Sequence, residues 1–200
     1  PSEAASLLVR ITRNCPWNRC AFCPVYKDEA FEKRELASIL GDIDILARAQ
    51  DKVRKVSNER GEGESVTTDT CLAIARDPRS TDTEKRVAFW LHYGGQRVFL
   101  QDADSLIRPT AELVTILEHL HRHFPDTREV TTYARSRTLL AKGEDGLRLL
   151  KKAGLSRVHV GVESGSDAVL SLIEKGCCAE HHRQGCTAAL KAGLQVGGDV

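Results

Sequence analysis

Methionine is missing from all 200 residues, the initiator included. The chain opens at Pro1 and stops at Val200 inside a predicted strand, so the expectation is a piece of a longer reading frame. No run of about eighteen apolar residues occurs, which excludes a transmembrane helix. No charge sign dominates either: Lys+Arg number 29 against Asp+Glu 28, for a net charge of +1. A chain that coats nucleic acid or an anionic membrane carries a clear basic excess, and this one does not. A secretory leader is also lacking, because the short apolar stretch Leu7-Leu8-Val9 is broken at once by Arg10. Finally, there is no disulfide framework. The seven cysteines are odd in number; Cys15, Cys20 and Cys23 crowd together, Cys177 and Cys178 are adjacent, and Cys71 and Cys186 stand alone. In a reducing compartment such thiols read as metal ligands or catalytic groups, which points to the cytoplasm. What is present, 41% hydrophobic and 28% charged residues, is the make-up of a soluble globular domain.

Strand-like and helix-like segments alternate along the chain. Residues 6–12 form a short apolar stretch that runs into the first cysteines. Leu36, Ile39, Leu40, Ile43, Leu46 and Ala47 recur at helical spacing, which predicts a helix over 31–56. Residues 61–86 are polar, hold Gly61, Gly63 and Pro78, and read as an irregular or partly helical insertion. Strands are predicted at 97–100, 129–133, 158–162 and 194–200. Between them lie helices that begin near Pro109, run over 146–153 to end at Gly154, stop before Gly176 and end at Gly193. Lys152-Ala153-Gly154-Leu155 recurs as Lys191-Ala192-Gly193-Leu194, each time placing glycine just past a helix end and leucine at a strand entry. Strands about 28 to 38 residues apart have the length of a βα unit with a right-handed crossover. An α/β fold with a parallel sheet follows, and its function belongs at the C-terminal strand ends. Four polar segments lie there: residues 13–23, 101–105, 134–137 and 163–167.

Cys15, Cys20 and Cys23 directly follow the first strand. Three soft sulfur donors in one loop suit an iron–sulfur cluster with one iron left open, or a zinc ion completed by a fourth ligand such as Cys71 or a histidine. Both readings stand on spacing alone. The second would make the chain a zinc-stabilised α/β binding or interaction protein without redox chemistry.

The segment Thr12-Arg13-Asn14-Cys15-Pro16-Trp17-Asn18-Arg19-Cys20-Ala21-Phe22-Cys23 resembles the cluster loop of the radical S-adenosylmethionine (SAM) superfamily. More narrowly it resembles the branch of Elongator catalytic subunits, methylthiotransferases and oxygen-independent coproporphyrinogen oxidases. Residues 98–104, Val-Phe-Leu-Gln-Asp-Ala-Asp, resemble that branch's second-strand motif. Residues 158–167, Val-His-Val-Gly-Val-Glu-Ser-Gly-Ser-Asp, resemble its fourth, and Lys175-Gly176 fits as well. The first cysteine gap is four residues where three is commonest, and the family's frequent Gly-Gly-Glu is replaced by Gln101-Asp102-Ala103-Asp104.

The resemblance implies a partial (β/α)6 TIM-like barrel, cut in its fifth strand, over residues 1–200. It implies a [4Fe–4S] cluster on Cys15, Cys20 and Cys23 whose open iron chelates SAM. Reductive cleavage of SAM would then yield a 5′-deoxyadenosyl radical that abstracts hydrogen from an unidentified substrate. It further implies an external flavodoxin- or ferredoxin-like electron donor. Glu163 with Ser164, at a strand end, are expected SAM contacts, and Phe22 either lies against the adenine or simply closes the sheet end. Asp102 and Asp104 either join them or cap the turn into Pro109; Arg135 either pairs with a carboxylate or is a solvated surface group. Relatives that act on tRNA make nucleic acid a possible substrate class that the neutral charge does not support. His119, His121 and His123 are read as helix-end cations whose i, i+2 spacing keeps them apart. His181-His182 is read as an exposed helix start, and Cys177-Cys178 as inert thiols.

Overall fold

The computed structural model describes residues 5–199. Five strands form one parallel sheet in the order β1-β4-β5-β6-β7: β1 Leu7–Arg10, β4 Arg97–Gln101, β5 Glu129–Ala134, β6 Arg157–Gly161 and β7 Gln195–Asp199. The pairing Val9↔Leu100, Leu100↔Thr132, Thr132↔Val158 and Val158↔Val196 sets one register across the whole sheet. This is the open, parallel α/β layout of a partial TIM-like barrel. Each strand-to-strand step is filled by helices: α1 Leu36–Glu59, α2 Thr68–Arg76 and α3 Asp82–His92 before β4, α4 Thr110–His123 before β5, and α5 Ser136–Lys152 before β6. Then α6 Asp167–Leu172 and α7 Ala179–Lys191 precede β7. Val200 lies outside the described residues.

Side chains alternate across a strand, so the register assigns each residue to a face. Val9, Leu100, Val130, Thr132, Val158 and Val160 are buried to within 1% under the helices, against Ile39, Ile43, Leu113, Ile116, Leu117, Leu139, Leu147 and Leu150. The opposite face carries Leu8, Phe99, Tyr133 and His159, with ring centroids 5.1 Å (Phe99–Tyr133) and 5.7 Å (Tyr133–His159) apart. A parallel sheet covered on both sides would read apolar on both. This mixed inner face therefore lines the concave side of the barrel segment. No helix among the described residues is long and apolar enough to cross a membrane.

Two helix starts differ from the sequence expectation, and of the two readings of 61–86 the partly helical one holds. The first long helix begins at Leu36, because Glu32–Lys33 (β3) is withdrawn into an antiparallel ladder with Thr12–Arg13 (β2). Residues 61–86 hold regular helix: Thr67 caps α2, and Thr81 with Glu84 forms a reciprocal capping box at the start of α3. Ile74, Val87, Ala88 and Trp90 from α2 and α3 join the core, so the segment is an outer helical layer. Helix α5 starts ten residues earlier than Gly146, at Ser136, and is interrupted at Gly143. Gly154 and Gly193 take the left-handed backbone (φ 114° and 82°) that their places past α5 and α7 require.

Candidate active site at the C-terminal strand ends

The β2–β3 ladder pinches residues 14–31 into a loop projecting from the end of β1. Inside it, the Asn14 side-chain amide donates to the Ala30 carbonyl at 2.7 Å. The Asn18 amide donates to the carbonyls of Tyr26 and, at 3.1 Å, Glu29. Both asparagines have positive φ (64° and 46°), a conformation their short polar side chains tolerate better than most residues do. The loop thus owes its curl to side-chain-to-backbone bonds and not to an apolar core. Cys15, Cys20 and Cys23 line it as free, half-buried thiols.

A second set of contacts docks this loop on the turn between α6 and α7. The Ala21 N–H donates to the Ile173 carbonyl at 2.9 Å, and the Trp17 indole N–H to the Glu174 carbonyl at 2.7 Å. The Trp17 ring lies on Gly176, where a Cβ would stand 2.3 Å from ring carbon and where φ is 72°. Only glycine permits that approach. The guanidinium groups of Arg19 and Arg135 stand 5.2 and 4.9 Å from the Trp17 ring centroid, within cation–π range.

Around the docked loop the charges are arranged in pairs. Lys175 is 9% exposed; its ammonium donates to Glu163 Oε1 at 3.0 Å and stands 5.6 Å from the Phe22 ring centroid. A Cβ on Gly161 would come within 2.9 Å of that carboxylate oxygen and 3.0 Å of the ammonium nitrogen, so the pair rests on the bare backbone at the end of β6. Glu163 takes φ 63°, which turns it out of the strand direction. Arg135 donates to the Lys175 carbonyl at 2.8 Å, tying the end of β5 to the same turn. Burial pushes the Cys20 thiol up, the charges of Lys175 and Arg135 oppose this, and Cys15 and Cys23 add to the rise. Three sulfurs, a buried ammonium and a half-buried guanidinium therefore share one field.

Asp102, at φ 93° just past β4, faces the other side of the loop. Burial raises its carboxyl, while Arg10 (3.7 Å), the Asn14 N–H and the Tyr26 hydroxyl favour its charged form. Tyr26 is in turn pushed up to about 12, by burial first and then by Asp102, Cys15 and Cys23. Ser164 sits beside Glu163, its hydroxyl accepting from the Ser166 N–H at 3.1 Å. Phe22 is 49% exposed at the loop tip.

The sheet end thus gathers Cys15, Cys20, Cys23, Phe22, Arg135, Glu163 and Ser164, with Asp102 at its flank. Asp104 is the exception. It is 1% exposed, and its carboxylate accepts from the Thr138 hydroxyl at 2.5 Å and the Arg135 N–H at 3.2 Å. Its oxygens are spent on the start of α5, neither facing the cleft nor capping the turn into Pro109. Arg135 is half-buried, against the solvated alternative. His182 is also buried (6%), not exposed: its Nδ1 lies 2.5 Å from the Ser136 hydroxyl and its Nε2 3.4 Å from Cys177 Sγ, because α7 packs tightly on α5. Trp17, Tyr26 and Lys175 received no role from the sequence. A tryptophan inside a polar loop and a lysine before a glycine were the available signals.

The chemistry of the donors bears on the choice of metal: three soft sulfur ligands in one loop suit zinc or an iron–sulfur centre. With a cationic rim and a loop able to curl around a compact group, the residues fit an iron–sulfur cluster.

Comparison with known proteins agrees with this geometry. No curated protein sequence matches the chain at a significant level. Among solved structures, the chain resembles a cobalamin-dependent S-adenosylmethionine radical enzyme, OxsB. With aqua-cobalamin and S-adenosylmethionine bound, the match has a TM-score of 0.58 at 15% identity. With aqua-cobalamin alone it has 0.59 at 15%, and in the apo, selenomethionine-labelled form 0.56 at 14%. Each match covers 96% of this chain and 23% of the OxsB chain, so the likeness is one of fold over about a quarter of that protein. The family profile described as Radical SAM superfamily matches residues 9–200, from β1 through the cysteine loop to the last strand. The chain belongs to the radical SAM superfamily.

Proposed function

We propose that Cys15, Cys20 and Cys23 hold the superfamily's [4Fe–4S] cluster, and that SAM binds across the strand ends between the cysteine loop and Glu163. The observation that carries this reading is the docking of the cysteine loop on the 173–176 turn, which surrounds Cys20 with the Lys175–Glu163 pair and Arg135. The bound cofactors supply one-electron reductive cleavage of SAM and, from it, a hydrogen-abstracting radical. The chain's own residues bind and shield. Glu163 offers a carboxylate to an ammonium or to ribose hydroxyls, with Ser164 beside it. Lys175 holds that carboxylate in place through its ammonium. Arg135 and Asp102 face the charged end of the ligand from opposite sides, and Phe22 closes over its flat portion. Asp104 acts behind them, holding Arg135 through its backbone. The inner sheet face, with Phe99, Tyr133 and His159, gives the substrate a partly apolar floor.

The match of residues 158–167 supports the Elongator, methylthiotransferase and coproporphyrinogen-oxidase-like branch. A small flavodoxin- or ferredoxin-like protein is the electron donor this chemistry asks for, and a reducing cytoplasm is the compartment that preserves three free thiols. Nothing in the charge balance favours a nucleic-acid substrate. Membership of the radical SAM superfamily supports a cluster over the zinc-stabilised alternative.

Anaerobic loading with iron and sulfide, followed by dithionite and SAM, should give a brown protein that forms 5′-deoxyadenosine. Cys20→Ala should abolish that product. Undiminished formation in this variant, or a colourless protein that keeps stoichiometric zinc under metal competition, would overturn the assignment.

A further inference from the structure

Helix α4 follows β4, so its last turn lies at the end of the barrel segment opposite the cysteine loop, where it packs beside α1. His119 and His123 are four residues apart there and share one helical face. Both Nε2 atoms reach the same atom of α1, Asp44 Oδ1, at 2.7 and 3.1 Å. The rings are 4.7 Å apart and inclined by 64°. We propose that Asp44, His119 and His123 form a divalent transition-metal site that clamps α1 to α4, with a fourth position open to water.

The donor set decides the metal class. Two imidazole nitrogens and one carboxylate oxygen suit zinc(II), cobalt(II), nickel(II) or iron(II), and not calcium or magnesium. Bonds of about 2.0–2.1 Å in a tetrahedron put donor atoms roughly 3.3 Å apart. The two nitrogen–oxygen legs, 2.7 and 3.1 Å, therefore have to open by about 0.6 and 0.2 Å to admit an ion. The side chains of His119, His123 and Asp44 are 17%, 33% and 40% exposed, which leaves an approach for the ion and its water. Without metal, the exposed Arg122 donates to His119 Nδ1 at 3.2 Å, and the proton on Nε2 serves Asp44. Metal binding takes the Nε2 lone pair, moves that proton to Nδ1 and releases Arg122 to solvent.

Cobalt(II) is the probe, added to the anaerobic, cluster-loaded chain and to the C15A/C20A/C23A variant so that loop thiols cannot answer for the helices. Both should take up one cobalt(II) with the high-spin EPR signal of nitrogen and oxygen ligation. D44N and the double variant H119Q/H123Q should bind at least about 100-fold more weakly, and R122Q as well as wild type or better. Zinc(II) should raise the unfolding temperature of the wild type but not of H123Q. Failure of the wild type to bind, binding unchanged in H119Q/H123Q, or binding lost in R122Q would overturn the proposal. In the first two cases the trio is a hydrogen-bonded clamp only.

Discussion

Asp104 shows how far a side chain's role can sit from its residue type. Its neighbourhood raises the carboxyl to about 6, burial being the main cause and the Thr138 and Arg135 bonds opposing it. An acid whose folded pKa exceeds its unfolded value binds more protons folded than unfolded. Its contribution is therefore fullest at low pH and is lost as pH rises through about 6. In urea unfolding, the wild type should lose about 2 kcal/mol relative to Asp104→Asn between roughly pH 4 and 6.5. A difference that stays flat with pH would contradict the burial argument. The cysteines were legible because thiol clustering is local: three donors within nine positions identify themselves. Lys175, Trp17 and Asp104 were not, because their partners lie 12, 157 and 34 positions away and only folding brings them close. His119 and His123 were misread by pairing each with His121. The i, i+4 pair was there, but Asp44, 75 positions earlier, was needed to give it meaning.

At the level of elements, the tightest joint is between α5 and α7. A Cβ on Gly185 would stand 2.5 Å from the Ser136 carbonyl oxygen, a rigid backbone atom. Gly185→Ala should cost about 1–3 kcal/mol, seen as a lower urea midpoint at unchanged slope. An unmoved midpoint would mean that the helices do not meet as closely as described. The same joint buries His182, which is why an apparent helix-start histidine became an interior one. Long amphipathic helices could be read from their apolar spacing. The two-residue strand Glu32–Lys33 could not, since it has no pattern and exists only because Thr12–Arg13 lies opposite. Partial helix within 61–86 was legible but not its bounds, although Thr81 and Glu84 already spelled the capping box that opens α3.

Across the whole molecule, the parallel order was legible from the repeated strand spacing and from the Lys-Ala-Gly-Leu helix exits. In the described sheet β4, β5 and β6 are paired on both sides, while β1 and β7 are each paired on one. Amide hydrogen exchange should be slowest in the three inner strands and measurably faster in β1 and β7. Equal protection throughout would indicate that the edges are covered in solution. The docking of the cysteine loop has a consequence of another kind. Its anchors, Ile173, Glu174 and Gly176, are made about 150 residues after Trp17. At about 5–20 residues per second, a ribosome needs roughly 8 to 30 s to supply them. Throughout that interval the three thiols are outside any finished pocket. The newborn chain therefore carries these three thiols exposed to oxidation long before the fold can shelter them.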